Sequence, residues 1–272
     1  MNSKLKTENS KLITSRDNAL LRHARAVRDG KVTESIYVEG LRLCEEAVRS
    51  ELKIEAVIYS EQLAKKDRAA ELIEELARLA GKAASVSEKL LESISYTKTP
   101  QGIVVLGARP AGNADYFSAR QTENPLLVIL HRINNPVNVG AILRTAEAAG
   151  VTGVVTTAGT ADPFSPKALR GAMGATFRLP TWFGVEYQQA IEWSRRHGLQ
   201  IVCTDVHARH SFTEVDFKRP TAIVMGAESE GLSAEEIALG DTGVTIPMKG
   251  ATESLNVAVA AGILLYEAFR QR

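Results

Sequence analysis

Three loops rich in Gly, Asn and Glu follow predicted strands, and the first of them contains an arginine that could act on a ligand. It reads HRINNPVNVGAILRTA and covers residues 131–146. Asn135-Pro136 is a turn signal, and Asn138 is a candidate N-cap for the helix that follows. Arg144 lies six residues after Asn138, at the margin of the apolar face of this helix. It is either a surface arginine with a buried stem or a functional cation.

The second loop places two carboxylates between two glycines. It reads GAESEGLS and follows the predicted strand 222–225. Gly226 can adopt a positive φ or allow a ligand to approach the backbone closely. Glu228 and Glu230 could act on a hydroxyl or an amine, or could be solvated surface groups.

The third loop leads into the last predicted helix. It reads IPMKGATESLNVAVAAG and covers residues 246–262. Ser254 and Asn256 are expected in the first helical turn, where unpaired N–H groups gather. Ala258 and Gly262 are four residues apart, so another backbone can approach this face. The approach comes either from within the fold or from a second subunit.

These loops are positioned by an alternation of strands and helices that is typical of an α/β fold. Over residues 1–107, short β-branched runs alternate with helical patterns, which predicts a small α/β domain. Residues 108–124 have no helical or strand period and are expected to be a linker. The alternation resumes over 125–272 and predicts a parallel sheet with helices on both faces. Ligands bind beyond the carboxyl ends of such strands, which is where the three loops lie.

The beginning of the chain is basic, although the whole chain has a formal net charge of +1. The first 31 residues contain eight Lys and Arg against three Asp and Glu. Arg22, Arg25 and Arg28 recur every three residues on a predicted helix. This face is either a solvated helix surface or a phosphate-facing patch on a small accessory domain.

Several classes of protein are disfavoured by what the sequence lacks. No apolar run is long enough for a bilayer span, and the polar start MNSKLKTENSK has no signal-peptide core, so we expect a cytoplasmic protein. The two cysteines, Cys44 and Cys203, cannot form a disulfide framework or a thiolate metal site by themselves. Phosphate-binding loops, dinucleotide fingerprints, zinc-hydrolase motifs and the serine-hydrolase motif are also missing, so no metal is predicted.

Taken together and in order, the three loops resemble the motifs of the SpoU (TrmH) family of RNA ribose 2′-O-methyltransferases. The first motif is matched by NNPVNVGAILRTAEAAG, the second by IVMGAESEGLS and the third by IPMKGATESLNVAVAAGILLYEA. The intervening FSPKALRGAMGATFRLP also fits. The resemblance covers about residues 125–272, and residues 11–107 resemble the accessory RNA-binding domain that precedes it in many members.

The resemblance implies a trefoil-knotted methyltransferase domain that binds S-adenosylmethionine and forms a homodimer through the first and last motif helices. A knot contradicts the general preference of chains for unknotted connections. The residues that match the family's cofactor pocket are Gly226, Ile246 and Leu255, with Thr156 and Thr157 as weaker candidates. The residues that match its polar catalytic positions are Asn138, Arg144, Glu228, Ser254 and Asn256.

The match departs from the family pattern at His131, Asn135 and Ala227, where many members have aspartates at the first two positions and an asparagine at the third. These changes affect the hydrogen bonding expected in the first loop. Arg144 is often assigned as the base in this family, but a guanidinium is effectively always protonated. We therefore expect Arg144 to clamp the phosphate beside the target ribose and to stabilise the developing alkoxide, with Asn138 and Glu228 positioning it. A transiently neutral Arg144, assisted by that phosphate, remains the alternative.

By analogy with the family, the long accessory domain favours structured ribosomal RNA, and the expected substrate is 23S ribosomal RNA. Within the same chemistry, the alternatives are a tRNA methyltransferase and an antibiotic-resistance ribosomal RNA methylase. A non-catalytic RNA-binding or ribosome-assembly factor is the alternative from another class. The retained polar positions of the three motifs argue against it. A nucleotide-dependent dehydrogenase is disfavoured because its glycine fingerprint is missing.

Overall fold

The computed structural model describes residues 10–272, which divide into two compact units. The first unit contains the described residues up to Pro110 together with Phe164–Phe177. The second contains Ala111–Pro163 and Arg178–Arg272. Most of the polar start, on which the absence of a signal peptide was judged, lies outside the described residues.

The first unit is built on a five-stranded mixed sheet in the order β1-β4-β3-β5-β2. Strands β1, β4 and β3 are parallel, and β5 runs antiparallel to both β3 and β2. This α/β arrangement agrees with the sequence prediction. The strands are β1 (Ser10–Ile13), β2 (Ser35–Glu39), β3 (Ile54–Ser60), β4 (Lys82–Val86) and β5 (Ile103–Ala108).

The second unit is built on a seven-stranded sheet in the order β10-β12-β9-β11-β6-β7-β8, and every pair in it is parallel. The predicted parallel sheet is confirmed. Its central strands β6 and β11 are buried along their whole length, as expected for a sheet that is covered on both faces. The strands are β6 (Leu126–Leu130), β7 (Gly153–Thr157), β8 (Thr181–Val185), β9 (Gln200–Thr204), β10 (His210–Ser211), β11 (Thr221–Met225) and β12 (Thr242–Thr245).

Apolar residues at helical spacing hold the helices against the two sheets. In the first helix, Leu21, Ala24 and Val27 are buried and Asn18 caps the N-terminus, which is the face that the sequence predicted. The helices are α1 (Ala19–Arg28), α2 (Leu41–Arg49), α3 (Asp67–Leu79), α4 (Glu88–Ile94), α5 (Ala114–Ser118), α6 (Pro136–Ala148), α7 (Pro166–Ala172), α8 (Ala175–Arg178), α9 (Tyr187–Arg196), α10 (Ala234–Ala238) and α11 (Val257–Gln271).

Two segments differ from the expected division of the chain. The stretch 108–124, expected to be a linker without regular structure, contains α5, which is capped by the Asn113 side chain. Phe117 of this helix is fully buried in the core of the second unit, so burial of one large ring outweighs the weak helical pattern. Phe164–Phe177, expected within the C-terminal domain, belongs to the first unit. There Gly174 adopts a φ of 93° beside Glu46, where a Cβ atom would lie 2.7 Å from the Glu46 Cβ.

Helices α6 and α11 pack against each other within the second unit. A Cβ placed on Gly262 would lie 3.7 Å from the Thr145 side chain of α6, so this small residue permits a close approach within the fold. The outer face of α11 stays apolar and exposed, with Val259, Tyr266 and Phe269 more than half accessible. The trefoil knot that the resemblance implies stays a prediction.

Candidate functional site

A cavity of about 350 Å³ opens at the carboxyl ends of β9, β11 and β12. This volume lies within the range of small-molecule sites. Its walls are the ends of the three strands, the loops that follow them and the first two turns of α11. The predicted site residues that line it are Gly226, Glu228, Ile246, Ser254 and Leu255.

Gly226 is required by the tight path of the second loop. A Cβ atom on this residue would lie 2.6 Å from the carbonyl carbon of Gly231 and 2.8 Å from the amide nitrogen of Leu232. The Gly231 N–H donates to the Ala227 carbonyl at 2.9 Å, which closes the loop into a compact hairpin. The cavity wall here is therefore backbone, held in place by the loop's own hydrogen bonds.

The Glu228 carboxylate joins the second loop to the first. Its two oxygens accept hydrogen bonds from the backbone N–H groups of Asn134 and Asn135, both at 3.2 Å, and from the Asn138 amide at 3.0 Å. Partial burial by itself would raise the pKa of Glu228, but these hydrogen bonds outweigh it and lower the pKa. Glu228 is thus an ionised connector at neutral pH and not a proton acceptor for a substrate.

Asn138 extends this connection to the last helix. Its Oδ1 accepts from the Asn256 Nδ2 at 3.2 Å, and Asn256 in turn caps α11 by accepting from the Ala258 N–H. The prediction that Asn138 caps α6 is wrong. Asn135 is the cap, Pro136 occupies the first helical turn, and Asn138 is a buried residue inside the helix. The helix begins at Val257, so the prediction for the first turn of α11 holds for Asn256, whose side chain caps that turn, and is wrong for Ser254, which lies in the loop before it.

Departure from the family pattern at Asn135 leaves helix α6 properly capped. The Asn135 Oδ1 accepts from the Val137 N–H at 3.0 Å, and asparagine is as good an N-cap as aspartate.

Arg144 stands apart from this network. It is exposed on α6, and its guanidinium has no hydrogen-bond or ion-pair partner among residues 10–272. Neither Glu228 nor Asn138 contacts it, so the expected direct positioning of Arg144 by these two residues is absent. The structure leaves Arg144 free to bind a group from outside the chain.

His131 sits in a second buried network beneath the loops. Its Nδ1 lies 2.9 Å from the Thr157 hydroxyl, and its Nε2 lies 2.9 Å from the Glu236 carboxylate. Arg132 also donates to both oxygens of Glu236. Glu236 and Ser233 together form the capping box of α10. Because a carboxylate only accepts, Nε2 carries the proton and Nδ1 accepts from Thr157. Thr157 and the buried Thr156 therefore serve the interior of the sheet, and neither lines the cavity.

We expect His131 to make the folded protein sensitive to mild acid. Burial lowers its pKa below the ordinary 6.5, and this outweighs the opposing effect of Glu236. The unfolded chain then binds more protons than the folded one, so stability is lost as the pH falls below about 6.5. The thermal unfolding midpoint of His131→Gln should fall less over this range than that of the wild type. Equal falls would contradict the assignment.

One wall of the cavity was not predicted from the sequence. The residues that follow β9, Asp205 to His207, line it together with the predicted loops. The Asp205 N–H donates to the Val244 carbonyl, and the Asp205 carboxylate accepts from the His207 N–H, so the turn is fixed. β9 belongs to the alternation of strands and helices predicted over 125–272, and the rule that ligands bind beyond strand carboxyl ends could have identified the loop after it.

Two of the three arginines predicted to form an RNA-binding patch on α1 make hydrogen bonds within the protein. Arg28 donates to the Asp29 carboxylate and to the carbonyls of Ser93 and Ser95. Arg25 donates to the Arg16 carbonyl. Of the three predicted arginines, only Arg22 has a side chain without a polar partner in the described part of the chain.

Two features are absent from residues 10–272. No group of three or more His, Cys, Asp or Glu side chains in this range could hold a metal ion. Every helix in it falls short of the length and hydropathy that a bilayer-spanning helix needs.

Comparison with known proteins identifies both parts of the chain. Residues 125–266 match the SpoU rRNA Methylase family, and residues 21–105 match the MRM3-like substrate binding domain. The chain is 35% identical to the 23S rRNA (uridine(2479)-2′-O)-methyltransferase of Streptomyces viridochromogenes, over 70% of this chain and 67% of that protein. It is 36% identical to the 23S rRNA (guanosine-2′-O-)-methyltransferase RlmB of Shewanella oneidensis, over 68% of this chain and 77% of that protein.

A solved structure superposes on nearly the whole length of this chain. The AdoMet-bound rRNA methyltransferase from Sinorhizobium meliloti superposes with a TM-score of 0.83 and 30% identity, covering 96% of this chain and 98% of that one. Both the matched motifs and the architecture around the cavity therefore point to one family. The chain belongs to the SpoU rRNA methylase family.

Proposed function

We propose that this protein transfers a methyl group from S-adenosylmethionine to a ribose 2′-hydroxyl of 23S ribosomal RNA. The observation that carries the proposal is a cavity lined by the second and third motif loops, to whose wall the first motif loop is hydrogen-bonded through Glu228. Glu228 lies on its wall and ties it to the helix that bears Arg144. The two ribosomal RNA methyltransferases compared above support the choice of substrate.

The cavity suits a ligand that has both apolar and polar parts. Ile246, Met248 and Leu255 supply apolar side chains, and the 226–232 hairpin supplies backbone groups. S-adenosylmethionine has an apolar purine face, hydroxyl groups and a charged amino-acid end, so this combination fits it. The residues that would hold it are Gly226, Ile246 and Leu255. When bound, it supplies a sulfonium methyl that is already activated for transfer.

The protein's own contribution is then to place and activate the ribose hydroxyl. Holding a nucleophile in line with the methyl carbon can lower the barrier by several kcal/mol, and by about 7 to 11 kcal/mol in the most favourable cases. Arg144 has five N–H donors in a fixed fork, so it can clamp the phosphate next to the target ribose. In the same position its charge stabilises the negative charge that develops on the ribose 2′-oxygen as the 2′-proton passes to solvent water.

The Glu228–Asn138–Asn256 network supports the placement and the activation of the ribose hydroxyl indirectly, without contacting the substrate. It joins the cavity wall to the start of α6 and to the cap of α11. These residues are positioning residues for the helix that carries Arg144. Ser254 lies on the cavity wall between Ile246 and α11 and shapes the pocket.

The proposal includes a homodimer that covers the α6–α11 face. Val137 of α6 and Val259, Tyr266 and Phe269 of α11 are between 45% and 58% exposed, and helices that are apolar on every side are normally buried. Arg144 lies seven residues after Val137, on the same exposed side of α6. A second copy packed on this face brings Arg144 into the interface.

The test is a transcriptome-wide map of ribose 2′-O-methylation in the source organism with and without this gene. Loss of one mark in 23S ribosomal RNA, restored by the wild-type gene, is the expected result. Loss of a tRNA mark instead would keep the chemistry and overturn the proposed substrate. An unchanged map would overturn the proposed activity.

A further inference from the structure

The loop between α4 and β5 exposes an aromatic ring and a cation two residues apart in sequence. It reads SYTKTPQ over residues 95–101. Tyr96 is 43% exposed, whereas Tyr37 and Tyr59 of the same unit are buried. Lys98 is also exposed. Exposed aromatic rings beside cations are a common feature of surfaces that bind unpaired nucleic acid bases.

A buried carboxylate fixes the backbone of this loop from inside. Glu39, only 8% exposed, accepts hydrogen bonds from the N–H groups of Tyr96 and Thr97 at 2.8 and 3.2 Å and from the Thr97 hydroxyl at 2.7 Å. Burying a carboxylate is unfavourable unless its oxygens are hydrogen-bonded in this way. All three of these hydrogen bonds to Glu39 come from the loop. The fold therefore holds the loop in one shape while the Tyr96 and Lys98 side chains stay exposed.

Two more contacts hold the start of the loop. The Tyr37 hydroxyl donates to the Ile94 carbonyl at 2.7 Å, and Arg28 donates to the Ser95 carbonyl at 3.2 Å. Arg28, predicted from the sequence to bind RNA, is thus a support of this loop.

The end of the loop adjoins the first turn of α2. The Gln101 Oε1 accepts from the Leu41 N–H at 3.1 Å. Gly40 adopts a φ of 103°, and a Cβ there would lie 2.8 Å from that same oxygen. This close approach places the exposed Arg42 beside the loop. One surface therefore presents Tyr96 with two cations, Lys98 and Arg42.

We propose that this surface is the docking site of the accessory unit for an unpaired RNA base, with the base stacked on Tyr96 and its phosphates held by Lys98 and Arg42. Stacking on an aromatic ring accepts any base, and cations supply affinity for the backbone. A loop that is already ordered loses little conformational freedom on binding, so more of the contact energy remains as affinity. The inference rests on the proposed function, because it assigns RNA as the partner.

The test measures the affinity of the purified full-length protein for an unmodified in vitro 23S ribosomal RNA transcript by filter binding. Tyr96→Ala should weaken binding about 10-fold, and Tyr96→Phe, which keeps the ring, should bind within about two-fold of wild type. Lys98→Gln should lower the slope of log affinity against log salt by about 0.7 to 0.9.

Lys82→Gln is the matched control for Lys98→Gln. Lys82 is exposed and pairs with Ala56 at the start of β3, whereas the 95–101 loop enters β5 opposite Tyr59 at the end of β3. It therefore lies at the other end of the sheet and should leave the salt slope unchanged. An unchanged thermal unfolding midpoint in Tyr96→Ala shows that the fold is intact.

The outcomes separate this inference from the proposed function. Equal RNA affinity of Tyr96→Ala and Tyr96→Phe, or equal salt slopes of Lys98→Gln and Lys82→Gln, would overturn the docking site. Neither result depends on methyl transfer, which is measured separately with labelled S-adenosylmethionine. Wild-type protein that binds the transcript through Tyr96 but leaves 23S ribosomal RNA unmethylated in the cell would overturn only the proposed activity.

Discussion

Replacing Arg144 by alanine should reduce methyl transfer by about 10²- to 10³-fold, the usual effect of removing a group that stabilises developing charge. The affinity for S-adenosylmethionine should stay within about two-fold of wild type, because Arg144 is absent from the cavity wall. No folded contact is lost with its guanidinium in residues 10–272, so stability should also be unchanged. Single-turnover transfer to RNA and calorimetric binding of the cofactor measure the two effects.

Two variants make the Arg144 result specific. Arg144→Lys keeps the charge but not the two-pronged geometry, so it should recover only part of the rate. Arg196→Ala removes an equally exposed arginine on α9 and should behave as wild type. Equal losses of cofactor affinity and rate in Arg144→Ala would make Arg144 a structural residue.

The proposed dimer is checked on the same preparations. Sedimentation equilibrium of the wild type and of Arg144→Ala should give twice the chain mass of 29.5 kDa. A monomer in both would contradict a dimer through the α6–α11 face and leave its apolar side chains without a partner.

The gathering of the three loops could be predicted from the sequence because parallel strands end at the same edge of a sheet. The capping box of Ser233 and Glu236 could also be predicted from the sequence, since its two residues are close along the chain and their spacing is fixed. What the pattern could not decide was the partner of each side chain. Asn135 and Asn138 are both good caps, and only the position of Glu228, about ninety residues away, determines that Asn138 turns inward.

Contacts between distant segments account for the other differences. The local sequence of α5 does not distinguish a linker from a helix, because the helix is stabilised by the packing of Phe117 into the core. Arg28 has the spacing of a surface cation, yet the C-terminal end of α4 offers it two carbonyls. In both cases a local pattern describes what a residue can do, and a partner far along the chain selects among the possibilities.

Replacing Glu228 by alanine should produce a different defect from the loss of Arg144, because it removes a connection and not a transfer group. Three N–H groups lose their acceptor, and one of them belongs to the buried Asn138, at a cost of about 1 to 3 kcal/mol. The 226–232 hairpin is then no longer tied to α6. We expect the Kd for S-adenosylmethionine to rise about 10-fold and the transfer rate to fall by a similar factor.

Glu230→Ala is the matched control, since Glu230 lies on the same hairpin and lines the same cavity but makes no hydrogen bond to the first loop. Glu228→Gln, which keeps an accepting oxygen, should fall between wild type and Glu228→Ala. Cofactor affinity is the decisive readout, because it should fall in Glu228→Ala and stay constant in Arg144→Ala. If Glu228→Ala binds the cofactor as wild type does, the network does not hold the cavity wall, and Glu228 would have to act on the RNA directly.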